Sequence, residues 1–317
     1  MQRTLITGAN GFVGHRLCEL LSQAGHYVIA LTHGQRPLSA AAHAHLHCDV
    51  RDAHALSLAI QSTVPTHVVH LAAITHVPAS FENPQLTWQT NVIGSLNLCE
   101  ALRQHAPDAF TLFVSTSEVY GASFKEGIPL DENADCQPMN PYAASKVAAE
   151  TAFREYLRRG LRGIILRPFN HIGAGQSPEF VTASFARQIA QIEFGRQPPV
   201  IKVGNLEAYR DFLDVEDVCN AYAKLLNLKD RGLPPSCINV CSGHARKISE
   251  ILNLLLGLSR TPITIEPDSS RMRPSDIRYA TGSNARLRDV IDWQVSREFS
   301  TTLENLLEYW RAETALQ

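Results

Sequence analysis

The chain has 317 residues, of which 44% are hydrophobic and 19% charged, and its formal net charge is −2. That length suits one large two-part domain or two domains. The near-neutral balance argues against nucleic acid or an anionic membrane surface as a partner, and no apolar run approaches the ~20 residues needed to span a bilayer.

Residues 1–3 lead directly into a predicted strand over 4–7, so no secretory leader is expected. Gly8-Ala9-Asn10-Gly11-Phe12-Val13-Gly14 follows, reading G-x-x-G-x-x-G. After it Phe12, Val13, Leu17, Leu20, Leu21 and Ala24 recur at helical spacing, and Gly25 stands where a helix would stop. Between a strand and a helix, such glycines allow a tight turn and let the backbone approach a pyrophosphate. The helix start adds free N–H groups and a positive dipole end.

A second strand is predicted over 27–31. Its end carries Thr32, His33 and Arg36 and no acid. An acidic residue about 20 positions past the glycine turn normally holds the ribose hydroxyls of NAD. Its absence favours NADP(H), with His33 and Arg36 toward a 2′-phosphate, although NAD(H) stays possible and Arg36 could simply be solvated. His43, His45 and His47 alternate, but no Cys or carboxylate cluster joins them. A solvated loop approaching the third strand is expected there, and no metal site.

Further strands are predicted over 67–72, 110–115 and 163–167, with helical stretches between them. That alternation implies parallel strands with right-handed crossovers, hence an α/β fold on a doubly wound parallel sheet. Ser115-Thr116-Ser117-Glu118 closes the 110–115 run, where the C-terminal ends of strands border a ligand crevice. Residues 121–140 read as a long loop over that crevice. Asn140 and Pro141 then fit the N-cap and first residue of a helix, placing Tyr142 and Lys146 on one face. A lysine ammonium beside a phenol would lower the pKa of Tyr142 toward neutrality and make it a proton carrier. A surface Tyr–Lys pair is the plainer alternative.

Beyond residue 167 the pattern predicts helices over 178–194 and 218–226 and strands over 200–203, 238–240 and 263–265. A last helix is expected to start with a Thr301–Glu304 capping box and to bury Leu303, Leu306, Leu307 and Trp310. The seven cysteines are scattered without C-x-x-C spacing. They form no disulfide framework, and a cytoplasmic location is expected.

Thr7–Gly14, Ser115–Gly121 and Tyr142–Lys146, in this order and spacing, resemble the extended short-chain dehydrogenase/reductase family that acts on nucleotide sugars. Asp49-Val50-Arg51-Asp52 is similar to the family's adenine-contacting segment, and His70-Leu71-Ala72-Ala73 to the strand end beneath the nicotinamide. Asn91 falls at the family's structural and catalytic asparagine. Arg167–Gly173, Arg210–Val215 and Arg271–Pro274 resemble its substrate-domain segments. Within the family, Arg167–Gln176, Gly204–Val215 and Asn239–Gly243 most resemble the GDP-6-deoxy-D-mannose reductase branch, whose members reduce GDP-4-keto-6-deoxy-D-mannose to GDP-D-rhamnose.

The resemblance implies a Rossmann domain over 1–168 and 212–243, and a smaller C-terminal α/β cap for the nucleotide sugar over 169–211 and 244–317. It implies Tyr142 as proton donor, Lys146 as its partner and a ligand of the nicotinamide ribose, and Thr116 as the hydroxyl that orients the keto oxygen. Cofactor contacts fall on Gly8, Asn10, Gly11, Phe12, Val13, Gly14, Thr32, His33, Arg36, Asp49, Val50, Leu71, Ala72, Ala73, Asn91, Arg167 and Asn170. Substrate contacts fall on Thr116, Ser117, Glu118, Asn170, Val181, Arg187, Asn205, Leu206, Arg210 and Arg273, with a GDP-linked sugar favoured. A homodimer is expected. Glu118 stands where 4,6-dehydratases of the family keep a base for sugar C5, so a dehydratase is the alternative activity. A 4-epimerase and an NADP-sensing regulator are further alternatives.

Overall fold

The computed structural model describes residues 2–34, 38–230, 236–271 and 277–317. The chain opens with β1 (Arg3–Thr7), α1 (Phe12–Gln23), β2 (Tyr27–Thr32), β3 (Ala44–His47), α2 (Ala53–Thr63) and β4 (His67–His70). Short helices α3 (Val77–Glu82) and α4 (Pro84–Trp88) and a π-helical turn (Gln89–Ile93) lead to α5 (Gly94–His105) and β5 (Phe110–Val114). After two 3-10 turns come α6 (Pro141–Arg158), β6 (Arg162–Pro168), β7 (Asn170–Ile172), α7 (Val181–Glu193), β8 (Val200–Val203), β9 (Tyr209–Asp214) and α8 (Val215–Leu226). The remainder comprises β10 (Cys237–Val240), β11 (Ala245–Lys247), α9 (Ile248–Gly257), β12 (Thr264–Pro267), β13 (Tyr279–Ala280), α10 (Ala285–Ile291) and α11 (Phe299–Leu316).

Seven strands pair in the order β10-β6-β5-β4-β1-β2-β3, every pairing parallel. Both faces of the sheet are covered, which is why β1, β4 and β5 are buried along almost their whole length. On one face Leu17 and Leu21 of α1 pack with Val218 and Tyr222 of α8. On the other lie Leu56 and Ile60 of α2, Leu98 and Leu102 of α5, and Phe153 of α6. The strand order reverses beside β1. The crevice beyond the C-terminal ends of β1 and β4 is therefore the topological switch point, the place where open α/β sheets take ligands.

A second sheet joins β11, β9 and β13, with β7 also on β9, and a third pairs β8 with β12. Helices α7, α9 and α11 enclose the cap's own core, including Phe185, Ile189, Ile251, Leu255, Leu303 and Leu307. The expected domain boundary at 211/212 falls inside β9, which stays in the second sheet through Asp214. α10, expected in the cap, instead adds Leu287 to the core beneath α8.

Two local expectations are corrected. His45 and His47 lie within β3 and not in a loop, because Leu46 turns toward the core and leaves the histidines exposed on the edge strand. α11 begins at Phe299 after Glu298, with no side-chain cap. Thr301 therefore sits within the first turn, and the neighbouring Thr302 donates to Asp214 at 2.7 Å.

Candidate active site

β1 ends at Thr7 and the chain turns at Gly8, whose φ of +68° few side chains tolerate. A Cβ on Gly8 would meet the Ala72 nitrogen at 2.9 Å, and one on Gly14 would meet the Gly8 carbonyl oxygen at 2.5 Å. These two glycines press turn, helix and β4 together. Gly11 differs: among the described residues, the only close neighbour of its missing Cβ is the Gly8 carbonyl oxygen at 3.1 Å. Gly11 caps α1 without a side-chain bond, and no acid stands in the first turn. The positive helix end thus faces the crevice, a cradle shaped for a phosphate group. Asn10 ties the turn to the end of β2 by donating to the His33 carbonyl at 3.3 Å. Phe12 stacks on His171, and the partly buried Val13 packs against the core.

At the end of β2, the exposed His33 stacks on His47 and lies 3.5 Å from Asp49. Asp49 is held by Arg51, whose hydrogen bonds keep its carboxyl below the usual range. Thr32 and Val50 are buried, with the Thr32 hydroxyl turned toward the Leu46 carbonyl. Arg36 and Arg273 lie outside the described residues. Leu71 and Ala72 abut the glycine turn, their amides donating to the carbonyl and hydroxyl oxygens of Thr7 at 3.2 and 3.1 Å.

The candidate catalytic side chains come together where β5 ends and α6 begins. Asn140 caps α6, accepting from the Ala143 amide at 2.8 Å, and its amide nitrogen donates to Glu118 at 3.2 Å. Thr116 caps the following 3-10 turn by accepting from the Glu118 amide. The Thr116 hydroxyl lies close enough to the Tyr142 phenol to favour its ionised form. Ser117 is buried beside them. Burial raises the Tyr142 phenol above its ordinary value; the Thr116 hydroxyl opposes that shift and the Glu118 charge adds to it. Lys146 does not lower it as expected. Its ammonium crosses to the Val114 carbonyl at 2.6 Å, and burial pushes it down to about 8.

Asn91, wholly buried on the π-helical turn, accepts from the Ile74 amide at 2.8 Å and donates to the Ile74 carbonyl at 3.1 Å and the Ser145 hydroxyl at 2.9 Å. Ser145 in turn donates to the Tyr142 carbonyl, and Ser80 accepts from the Tyr142 amide. Sequence reasoning missed both serines. Nothing in the spacing of Ser80 pointed to α6.

From the cap side, Arg210 brings its guanidinium to the carbonyls of Tyr209 and Ile277, where it feels the charge of Glu118. Asp211 makes no ion pair with it. The buried Asp211 carboxylate accepts from the amide and hydroxyl of Ser242, the Gly243 amide and the Thr281 hydroxyl. Asn170 donates to the Asp211 carbonyl.

Residues 4–241 match the family described as the NAD dependent epimerase/dehydratase family. The chain belongs to that family. It is 37% identical over 98% of both chains to a GDP-6-deoxy-D-mannose reductase of Pseudomonas aeruginosa. The structure of RMD from Pseudomonas aeruginosa complexed with NADPH superposes with a TM-score of 0.86 at 36% identity, covering 99% of this chain and 100% of that one. A Thermus thermophilus UDP-glucose 4-epimerase in complex with NAD superposes with a TM-score of 0.85 at 28% identity, covering 98% and 99%.

Within this family member one expected cofactor residue is withdrawn from the crevice. Arg167 is buried in β6, donating to Glu150 at 2.8 and 3.0 Å and lying over the Tyr120 ring. The pair is internal because α6 packs Glu150 onto that strand. In the cap, a cleft of about 470 Å3 is lined by Arg187, Ser184, Lys202 and Arg271, among others. Arg271 is exposed, donating to Ser184 and pairing with Asp268. Val181 and Asn205 are exposed at neighbouring element ends, and Leu206 packs against the cap core.

Proposed function

We propose that the chain reduces the C4 keto group of GDP-4-keto-6-deoxy-D-mannose to give GDP-D-rhamnose, with NADPH as the favoured reductant. The observation that carries this reading is the buried Tyr142–Thr116 hydroxyl pair at the end of β5, beside a crevice whose glycine turn leaves room for a pyrophosphate at Gly11. The 37% identical reductase supports the choice of substrate, and the NADPH-bound structural relative supports the cofactor.

When bound, the reduced dinucleotide supplies a hydride to the carbonyl carbon. The chain's residues handle the oxygen. Thr116 donates a hydrogen bond to it, and Tyr142 gives it a proton as charge builds there. A phenol raised by burial is still protonated at neutral pH, the state a donor needs. Lys146 and Asn91 hold the start of α6 in place. Gly8, Asn10, Gly11, Gly14 and Leu71–Ala73 form the dinucleotide's bed. Arg210 and Asn170, with Arg187 in the cap cleft, take the GDP moiety, where guanidinium forks grip phosphate oxygens at two points.

The test is incubation of purified protein with GDP-4-keto-6-deoxy-D-mannose and NADPH, with the product identified by NMR. Formation of GDP-D-rhamnose is expected, and Glu118→Gln should retain activity within about tenfold, the cost of one polar contact. Absence of NADPH consumption would overturn the reading. A 4-keto product from GDP-mannose and oxidised cofactor, abolished by Glu118→Gln, would assign the dehydratase reaction instead.

A further inference from the structure

We propose that His70 is a positioning residue: its imidazole, in the Nε2–H form, joins the phosphate turn after β1 to the helix that carries Tyr142, and holds residues 72–74 between them. This rests on the reading of the crevice as a dinucleotide site and deepens it.

The argument is one of donor direction. Ser95 donates its hydroxyl hydrogen to the Asn91 carbonyl at 2.6 Å. Its oxygen is therefore left to accept from His70 Nε2, 3.0 Å away. A neutral imidazole with its proton on Nε2 has a lone pair on Nδ1. Nδ1 lies 2.7 Å from the Thr7 hydroxyl, which consequently donates to it. The Thr7 oxygen is then free to accept from the Ala72 amide at 3.1 Å. At the other end, Asn91 clasps both backbone groups of Ile74 and donates to Ser145, which donates to the Tyr142 carbonyl.

The result is one directed chain from Ala72 through Thr7, His70, Ser95 and Asn91 to α6. It has no spare donor or acceptor at His70. His70 is almost wholly buried, and burial together with the Lys146 charge pushes its imidazole down to about 3, so it remains the neutral linker. The chain ends on a backbone carbonyl and not on the Tyr142 phenol, so it carries no proton to the substrate. Its effect is to fix segment 72–74 from both sides, by Thr7 at Ala72 and by Asn91 at Ile74.

The two ring nitrogens can be removed separately. His70→Asn places an acceptor near Nδ1 and none at Nε2. His70→Gln reaches Nε2 and abandons Nδ1. For His70→Asn we expect NADPH affinity within about threefold of the parent and turnover lowered about tenfold, the weight of one buried hydrogen bond. For His70→Gln the pattern reverses, with NADPH affinity down about tenfold and turnover within about threefold. His70→Leu loses both.

NADPH titrations by protein fluorescence need no sugar, so they decide the matter even if the parent enzyme fails to reduce the 4-keto sugar. An 15N imidazole spectrum of the parent protein should show His70 protonated at Nε2 alone. A proton on Nδ1 at neutral pH overturns the proposal. So do equal losses in the Asn and Gln variants that merely follow their melting temperatures, or variants indistinguishable from the parent.

Discussion

The Lys146 ammonium donates to the Val114 carbonyl at 2.6 Å, pinning the first turns of α6 to the end of β5. The contact carries a stability signature. Burial lowers Lys146 from 10.5 in the unfolded chain to about 8 in the folded one. Between those values the unfolded chain holds a proton that the folded chain lacks, so stability rises with pH, by up to ~1.4 kcal/mol per pH unit for one proton. Lys146→Met removes this contribution. Denaturant midpoints of parent and variant, measured from pH 7 to 10, should show the parent gaining on the variant above pH 8. Parallel curves would contradict the placement of Lys146.

Tyr142→Phe keeps the ring and removes the hydroxyl that meets Thr116. Turnover should fall by at least ~10²-fold, the range for loss of general acid–base catalysis. NADPH affinity should change little, since the ring remains packed on α6. Single-turnover kinetics combined with NADPH titration separate the two effects.

Gly11 and Gly14 should fail differently. Gly11→Val puts a branched side chain into the open cradle and is expected to abolish dinucleotide binding, with a melting temperature within a few degrees of the parent. Gly14→Ala drives a methyl group into the Gly8 carbonyl at 2.5 Å and should cost ~1–3 kcal/mol of stability. Calorimetry with and without NADPH distinguishes the two.

Arg167→Met leaves the buried Glu150 carboxylate with Arg154 alone, at 3.4 Å, and should destabilise the protein by up to ~3–5 kcal/mol. Pairing it with Glu150→Leu should recover much of that loss, because an apolar pair of similar volume often replaces a buried ion pair at little cost. NADPH affinity of the double variant should match the parent, since Arg167 is buried and held by Glu150. Chemical denaturation of the three variants provides the check.

Much of the site was legible because its parts obey local rules. Gly8 and Gly14 sit at a strand–turn–helix junction, and Asn140 and Pro141 announce α6, so the places of Tyr142 and Thr116 follow from their neighbours. What local rules do not contain is the partner that a long side chain selects across the fold. Spacing puts Lys146 on the Tyr142 face, yet a carbonyl on β5 captures its ammonium. Arg167 ends a strand beside the crevice, yet Glu150 draws it inward. β3 escaped notice as a strand because it is four residues long, on the sheet edge, with exposed histidines alternating along it. The family resemblance marks His70 as part of a strand end, but gives its side chain no partner. The role of His70 depends on Thr7 from the adjacent strand and Ser95 from α5, which only the folded sheet brings together.

The Asp211 carboxylate has a consequence for how the molecule is made. Its donors come from Ser242, Gly243 and Thr281, two later stretches of chain. Until those residues have left the ribosome, β9 would have to bury an unsatisfied charge, at a cost of several kcal/mol. The phosphate turn, β4, β5 and Tyr142 all lie within the first half of the chain and can assemble while synthesis continues. Synthesis therefore delivers the residues of the dinucleotide cradle before Arg210 and its neighbours, and the last donor to Asp211 arrives only with the segment around Thr281.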